Sequence, residues 1–119
     1  GYEWDTFQIQ GGNRMQAMAL VSLSRKGEKF TETGAGEGPI DASFNAINRI
    51  VGQDFKLLFY NIKAVTGGTD ALGEVRVRIT DAAGHEFPGK GVSTDIIKSS
   101  IRAYINAINR SMIQGDTGA

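Results

Sequence analysis

The chain has 119 residues, 40% of them apolar, and its thirteen basic and thirteen acidic side chains cancel to a formal net charge of zero. That length predicts one domain burying roughly two-thirds of its unfolded surface, too short for a catalytic barrel, and the balanced charge supplies no whole-chain field for nucleic acid or an anionic membrane. Without cysteine there is neither a disulfide framework nor thiolate chemistry, a composition that fits a reducing cytoplasm.

No apolar run approaches the ~20 residues of a membrane span, and no signal-peptide pattern opens the chain. It starts Gly1-Tyr-Glu-Trp4 without methionine and ends on the polar stretch Gly115-Asp-Thr-Gly-Ala119, so it reads as a piece of something longer. Trp4–Ile9 is a short strand candidate that stops at Gly11-Gly12-Asn13, where the turn chemistry predicts a hairpin into Met15–Ser24. Arg25-Lys-Gly-Glu28 is a second turn leading into the strand Lys29–Thr33. A glycine-rich connector follows, then a helix with Ile40, Phe44, Ile47 and Val51 on one face. Gly38 then Pro39 fits an N-cap with proline at the first helical position, and Gly52 fits a C-terminal stop.

The order then repeats. Phe55–Val65 is a strand rich in Phe, Leu, Tyr and Ile, followed by the loop Thr66–Gly73. Glu74–Thr80 alternates with period two, Val75, Val77 and Ile79 inward and Glu74, Arg76 and Arg78 outward. Asp81-Ala-Ala-Gly84 turns into His85–Lys90, and a longer helix runs from Thr94 to about Met112. Its apolar stripe is Ile97, Ile101, Tyr104, Ile105, Ile108 and Met112, with Ser93 as N-cap and Asp95 complementing the dipole in the first turn.

The pentapeptide Asn-Ala-Ile-Asn-Arg closes both halves, at Asn45–Arg49 and at Asn106–Arg110. Gly34 and Gly36 match Gly89 and Gly91, and Gly27–Phe30 matches Gly84–Phe87, with an insertion inside the second helix. The expected fold is therefore α+β: two tandem βββα units, 4–52 and 55–112, related by a pseudo-two-fold axis, antiparallel sheets packed on helices, and a tail at 113–119. Folds of this kind tend to place a ligand or partner at the seam.

Chemistry is sparse. The glycine connectors lead into helix N-termini, where free N–H groups favour an anion, yet no P-loop lysine follows and tight strand-to-helix turns account for the glycines equally. Asp41 and Asp95 fit helix capping; Asp41 also fits reception of an ammonium group. His85 is the only histidine, too few nitrogen ligands for zinc, and no nucleophile-elbow serine accompanies it. Arg76, Arg78, Arg102 and Arg110 fit solvated surface better than a nucleic-acid patch. Tyr60, among Leu57, Leu58, Phe59 and Ile62, fits core or the floor of an apolar pocket.

Four ordered motifs go further: Gly34-Ala-Gly-Glu-Gly-Pro-Ile-Asp-Ala42, Tyr60-Asn-Ile-Lys-Ala64, Gly68-Thr-Asp-Ala-Leu-Gly-Glu-Val75 and Gly89-Lys-Gly-Val-Ser-Thr-Asp-Ile96. Together they resemble the C-terminal regulatory domain of 2-isopropylmalate synthase and of its relative citramalate synthase. The resemblance implies a domain that dimerises and binds the pathway end product, leucine in the former family and isoleucine in some of the latter, so that it inhibits by feedback. It also implies a catalytic barrel elsewhere in the parent chain, carrying a divalent metal for condensing acetyl-CoA with a 2-keto acid, and hence no catalysis and no cofactor in this piece.

Carried over by motif, the effector residues are Gly36, Gly38, Pro39, Ile40 and Asp41 from the first turn. Leu57, Tyr60, Ala64 and Ala71 come from the strand and loop after the first helix, and Thr94 and Ile96 from the second unit's matching turn. Some relatives carry proline where this chain has Thr94. Leucine is favoured because Ile40 and Ala64 leave room beside Tyr60. The alternatives are an isoleucine-binding regulatory domain of citramalate synthase and a dimerisation module without a working ligand site.

Overall fold

Period-two patterning builds both sheets of the protein, seen here as a computed structural model that describes residues 1–11, 16–66 and 71–117. Strands β1 (Glu3–Gln10), β2 (Ala17–Arg25) and β3 (Glu28–Gly36) pair antiparallel in that order and are followed by helix α1 (Pro39–Val51). Strands β4 (Lys56–Thr66), β5 (Ala71–Thr80) and β6 (Glu86–Ser93) repeat the arrangement before helix α2 (Ile96–Thr117). The chain divides into two compact units, Gly1–Asp54 and Phe55–Ala119, each a βββα unit. The α+β class and the two tandem βββα units read from the sequence are thus the ones observed.

In unit one, Ala17, Ala19, Val21 and Leu23 alternate onto the face beneath α1 and are buried with Phe44 and Ile47 of the helix. In unit two Val75, Val77 and Ile79 do the same beneath Ile101, Tyr104, Ile105 and Ile108. Burying each such side chain contributes roughly 1.5–3 kcal/mol, which is what fixes the register of the central strands. Each helix lies over the second and third strands of its sheet. The first strands, β1 and β4, are consequently only partly covered.

Turns follow their sequence signals. Lys26 and Gly27 both have positive φ (53° and 79°), the backbone that a two-residue hairpin between right-twisted strands requires. Gly38 is the N-cap of α1, Pro39 occupies its first turn, and Gly52 ends it in the left-handed region at φ 74°. The expected hairpin at Gly12-Asn13 and most of the loop after Thr66 lie outside the described residues.

Several expectations need correction. The glycines at 34, 36, 89 and 91 are not connectors: they sit inside β3 and β6, both strands running further than the sequence suggested. A Cβ on Gly34 would stand 2.3 Å from the Ala46 nitrogen, and one on Gly91 2.2 Å from the Ser99 oxygen. These positions are bare because a helix backbone rests on them. Glu74, expected outward, does face away from α2 but is buried between Arg76 (3.3 Å) and Lys90 (3.8 Å), which compensate its charge. The apolar run of β4 is not core, since Leu57, Leu58, Phe59 and Ile62 remain 43–53% exposed. Finally, α2 continues to Thr117, so residues 113–117 are helical rather than tail.

Candidate functional site

The first group of residues carried over by motif surrounds the start of α1. Gly36 is buried at the end of β3, against Ala42. Gly38 is extended (φ −143°, ψ 175°) and, having no side chain, caps nothing. Pro39 brings no N–H, and the Asp41 carboxylate accepts from the backbone N–H of Glu37 at 3.3 Å, turning back over the entry to the helix. Ile40 is half-buried and Asp41 exposed. The sequence thus leaves the positive end of this helix without a side-chain cap on Gly38, and one carboxylate in the first turn offsets the dipole.

The second group lies in unit two. Leu57 pairs with Ile79, Tyr60 with Val77 and Ala64 with Gly73, so all three take the α2-facing side of β4. Ile96, the first residue of α2, reaches the same place: its Cδ1 would stand 2.5 Å from a Cβ on Gly73. The absent side chain at 73 makes room for the isoleucine. Tyr60 leans over the helix, and its hydroxyl meets Ser100 Oγ at 2.5 Å. Ala71 opens β5, exposed, opposite Thr66. Thr94 is exposed in the link between β6 and α2. Unit two therefore brings Tyr60, Ala64 and Ile96 together, while Thr94 makes no contact that would mark it.

The two helix starts differ electrostatically. Asp95 Oδ1 accepts from Ile97 N–H at 2.8 Å and from Lys98 N–H at 3.5 Å, so α2 is capped by its own carboxylate. Ser93, expected as the cap, instead accepts from Asp95 N–H at 3.2 Å and holds the cap in position. Two matching anion sites are therefore not what the chain presents. Only the α1 start lacks a carboxylate acting in this way.

His85 is held by the turn expected for it. Asp81 accepts from the N–H groups of Ala83 (3.0 Å) and His85 (2.9 Å), and its other oxygen lies 3.1 Å from His85 Nδ1. Burial alone would raise the Asp81 carboxyl, but the hydrogen bonds and charge of His85, with the Ala83 amide, outweigh it and hold it below its ordinary value. Among the described residues no three His, Asp or Glu side chains gather as a metal site would need.

Clefts within the units lie elsewhere. One of about 520 Å³ is lined by Phe59, Asn61, Arg76, Arg78, Lys90 and Arg110, and another of about 480 Å³ by Asn45, Arg49 and Asp54 among others. Neither includes a residue carried over by motif.

Sequence reasoning missed Ser99, Ser100 and Gly73. Ser99 Oγ has one hydrogen to give and lies nearest Gly73 O at 2.9 Å, with Asp95 O at 3.1 Å as the other near acceptor, which sets β5 against the first turn of α2. Both serines are wholly buried. The available signal was a polar pair set between Ile97 and Ile101, on a face that the pattern assigned to the core.

Comparison with known proteins follows the same lines. Residues 1–112 match the family described as the LeuA allosteric (dimerisation) domain. The chain is 53% identical over 108 residues to the 2-isopropylmalate synthase of Ruminiclostridium cellulolyticum, covering 91% of this chain and 21% of that protein. The enzymes of the same name from Carboxydothermus hydrogenoformans (45% over 109 residues, 92% of this chain) and Aquifex aeolicus (44% over 108, 91% of this chain) each have 21% of their length covered. The chain thus spans about a fifth of the relatives it matches.

Proposed function

The chain belongs to the LeuA allosteric (dimerisation) domain family, and from that premise we propose that it is the feedback-regulatory part of a 2-isopropylmalate synthase, binding leucine and pairing two copies of the enzyme. The observation that carries this reading is the 53% identity to a protein of that name over nearly the whole chain. The regulated reaction, condensation of acetyl-CoA with a 2-keto acid on a divalent metal, belongs to a catalytic barrel of the same parent chain, in the cytoplasm. No residue of this piece is assigned a catalytic part.

Each unit, taken by itself, carries residues that suit part of such a ligand. In unit one, Gly36, Gly38, Pro39, Ile40 and Asp41 shape a helix start suited to the charged end of an amino acid. In unit two, Leu57, Tyr60, Ala64 and Ile96, with Ala71 and Thr94 flanking, offer apolar surface to a branched side chain. Burying a leucine side chain contributes roughly 1.5–3 kcal/mol and each charged hydrogen bond roughly 1.5–3 kcal/mol. After the costs of association, these give a micromolar dissociation constant, about −8 kcal/mol.

Calorimetric titration of the chain with leucine, isoleucine and valine tests the reading. Heat with leucine, weaker by ten-fold or more with the other two, supports it; a flat trace with all three sinks the ligand claim. Light scattering reports the pairing of chains separately.

A further inference from the structure

The two units share a fold but not every side-chain arrangement, and one difference falls on Tyr60. At the fifth position of each helix stands a buried serine whose hydroxyl donates to the carbonyl of the helix's first residue: Ser43 to Pro39 O at 2.7 Å, Ser100 to Ile96 O at 2.7 Å. Counting outward across the sheets, Gly34 pairs with Ala19 and Ala19 with Ile9, as Gly89 pairs with Val77 and Val77 with Tyr60. Unit one thus has an isoleucine where unit two has a tyrosine. Unit one forms the same fold with no hydroxyl at that position, so the Tyr60–Ser100 bond is a feature of unit two alone.

The direction of that bond follows from counting protons. Ser100 has a single hydroxyl hydrogen, and Ile96 O, at 2.7 Å, can only accept. Were the hydrogen turned elsewhere, two oxygens would face each other lone pair to lone pair. Tyr60 therefore donates to Ser100. Its own oxygen is left able to receive a hydrogen bond but not to give one, and the ring is tethered to the first turn of α2, beside Ile96. Along the same face of β4, Leu57, Ile62 and Ala64 are exposed, and Tyr60 among them is held by a polar anchor.

We propose that Ser100 is a positioning residue for effector binding: it never touches the ligand, but sets the angle of the Tyr60 ring and the polarity of its hydroxyl. The proposal rests on the reading that a branched-chain amino acid packs against Tyr60. With the anchor gone, the ring is free in the unliganded domain and must be ordered on binding, which weakens affinity. The chain Tyr60–Ser100–Ile96 also links the ligand-bearing strand to the start of α2.

The test is a double-mutant cycle on leucine affinity, measured by calorimetry for the wild-type chain, Tyr60→Phe, Ser100→Ala and the double variant. Each single change is expected to weaken leucine about five-fold, the factor that one hydrogen bond carries. The double variant is expected to equal either single one, because both delete the same bond. A purely structural serine would instead lower the melting temperature and leave the dissociation constant alone. Leucine binding that Tyr60→Phe weakens and Ser100→Ala does not, or losses that multiply to about twenty-five-fold, would overturn the proposal while leaving the effector reading intact. Failure of the wild-type chain to bind leucine overturns both. Alanine is a good helix former, and Tyr60→Phe removes the bond from the other side should Ser100→Ala fold poorly.

Discussion

Gly89 lies so near Ala107 that a methyl on the glycine would stand 2.8 Å from the alanine's own, and 2.0 Å from the carbonyl oxygen of Ala103. Gly34 stands in the same relation to Ala46 in the other unit. Beside these contacts, Asn45 donates to Ala35 O and Asn106 to Lys90 O, both at 2.7 Å, closing the edge of the third strand onto the helix. The repeated Asn-Ala pair is therefore a helix-docking device: the alanine allows close approach and the amide locks it. Gly89→Ala is expected to destabilise by about 3 kcal/mol, the upper part of the usual overpacking range, because the clash is with backbone that cannot turn aside. Urea unfolding would show a lowered midpoint with unchanged slope. Unchanged stability would mean that α2 can lift off the sheet at little cost.

Much of this was legible in advance, and the reason lies in which residues carry the signal. The inward valines of β5, the Gly38-Pro39 start and the Gly52 stop announce themselves through local rules of period and cap. The bare glycines did not, because a missing side chain in a strand means something only once the helix above it is placed. The same holds for Ser99 and Ser100, a polar pair on the core face whose role shows only once the carbonyls that accept from them are placed. Of the candidate site, motif resemblance supplied the residues, and the register showed that Leu57, Tyr60 and Ala64 share one face of β4, with Ile96 of α2 set against Gly73 beside it. The partial exposure of β4 was not readable, since it depends on where the helix lies.

The start of α2 offers a direct comparison of two possible caps. Asp95 accepts from two amides, whereas Ser93 accepts only from Asp95 itself. Asp95→Ala should cost about 1 kcal/mol, as loss of an N-cap does, and Ser93→Ala distinctly less. Thermal melts of the two variants decide it. A larger loss at Ser93 would return the cap to the residue that the sequence first suggested.

Acid should weaken the turn that carries His85. The Asp81 carboxyl is held below its ordinary value in the folded chain, so folding favours its ionised form. A group with a depressed folded value contributes stability above the unfolded value and loses it as pH falls through the folded one. Asp81→Asn should therefore melt below the wild type at neutral pH, with the gap closing at about pH 4 and lower. A gap that stays constant from neutral pH down to about pH 3 would show that the hydrogen bonds survive protonation.

Gly38 allows stability and affinity to be pulled in opposite directions. As an N-cap it has the right backbone but no acceptor, and nothing lies within 4 Å of where its Cβ would be. Gly38→Ser has room for a side chain whose oxygen can accept from the first-turn amides, a gain of a few tenths of a kcal/mol in stability. If those amides are what the effector's carboxylate uses, the serine competes with it. The expected result is a slightly raised melting temperature together with leucine binding weakened by about ten-fold, one charged hydrogen bond's worth. Calorimetry and thermal melts on the same variant read both quantities. A stabilised variant that binds leucine as tightly as the wild type would remove the α1 start from effector binding.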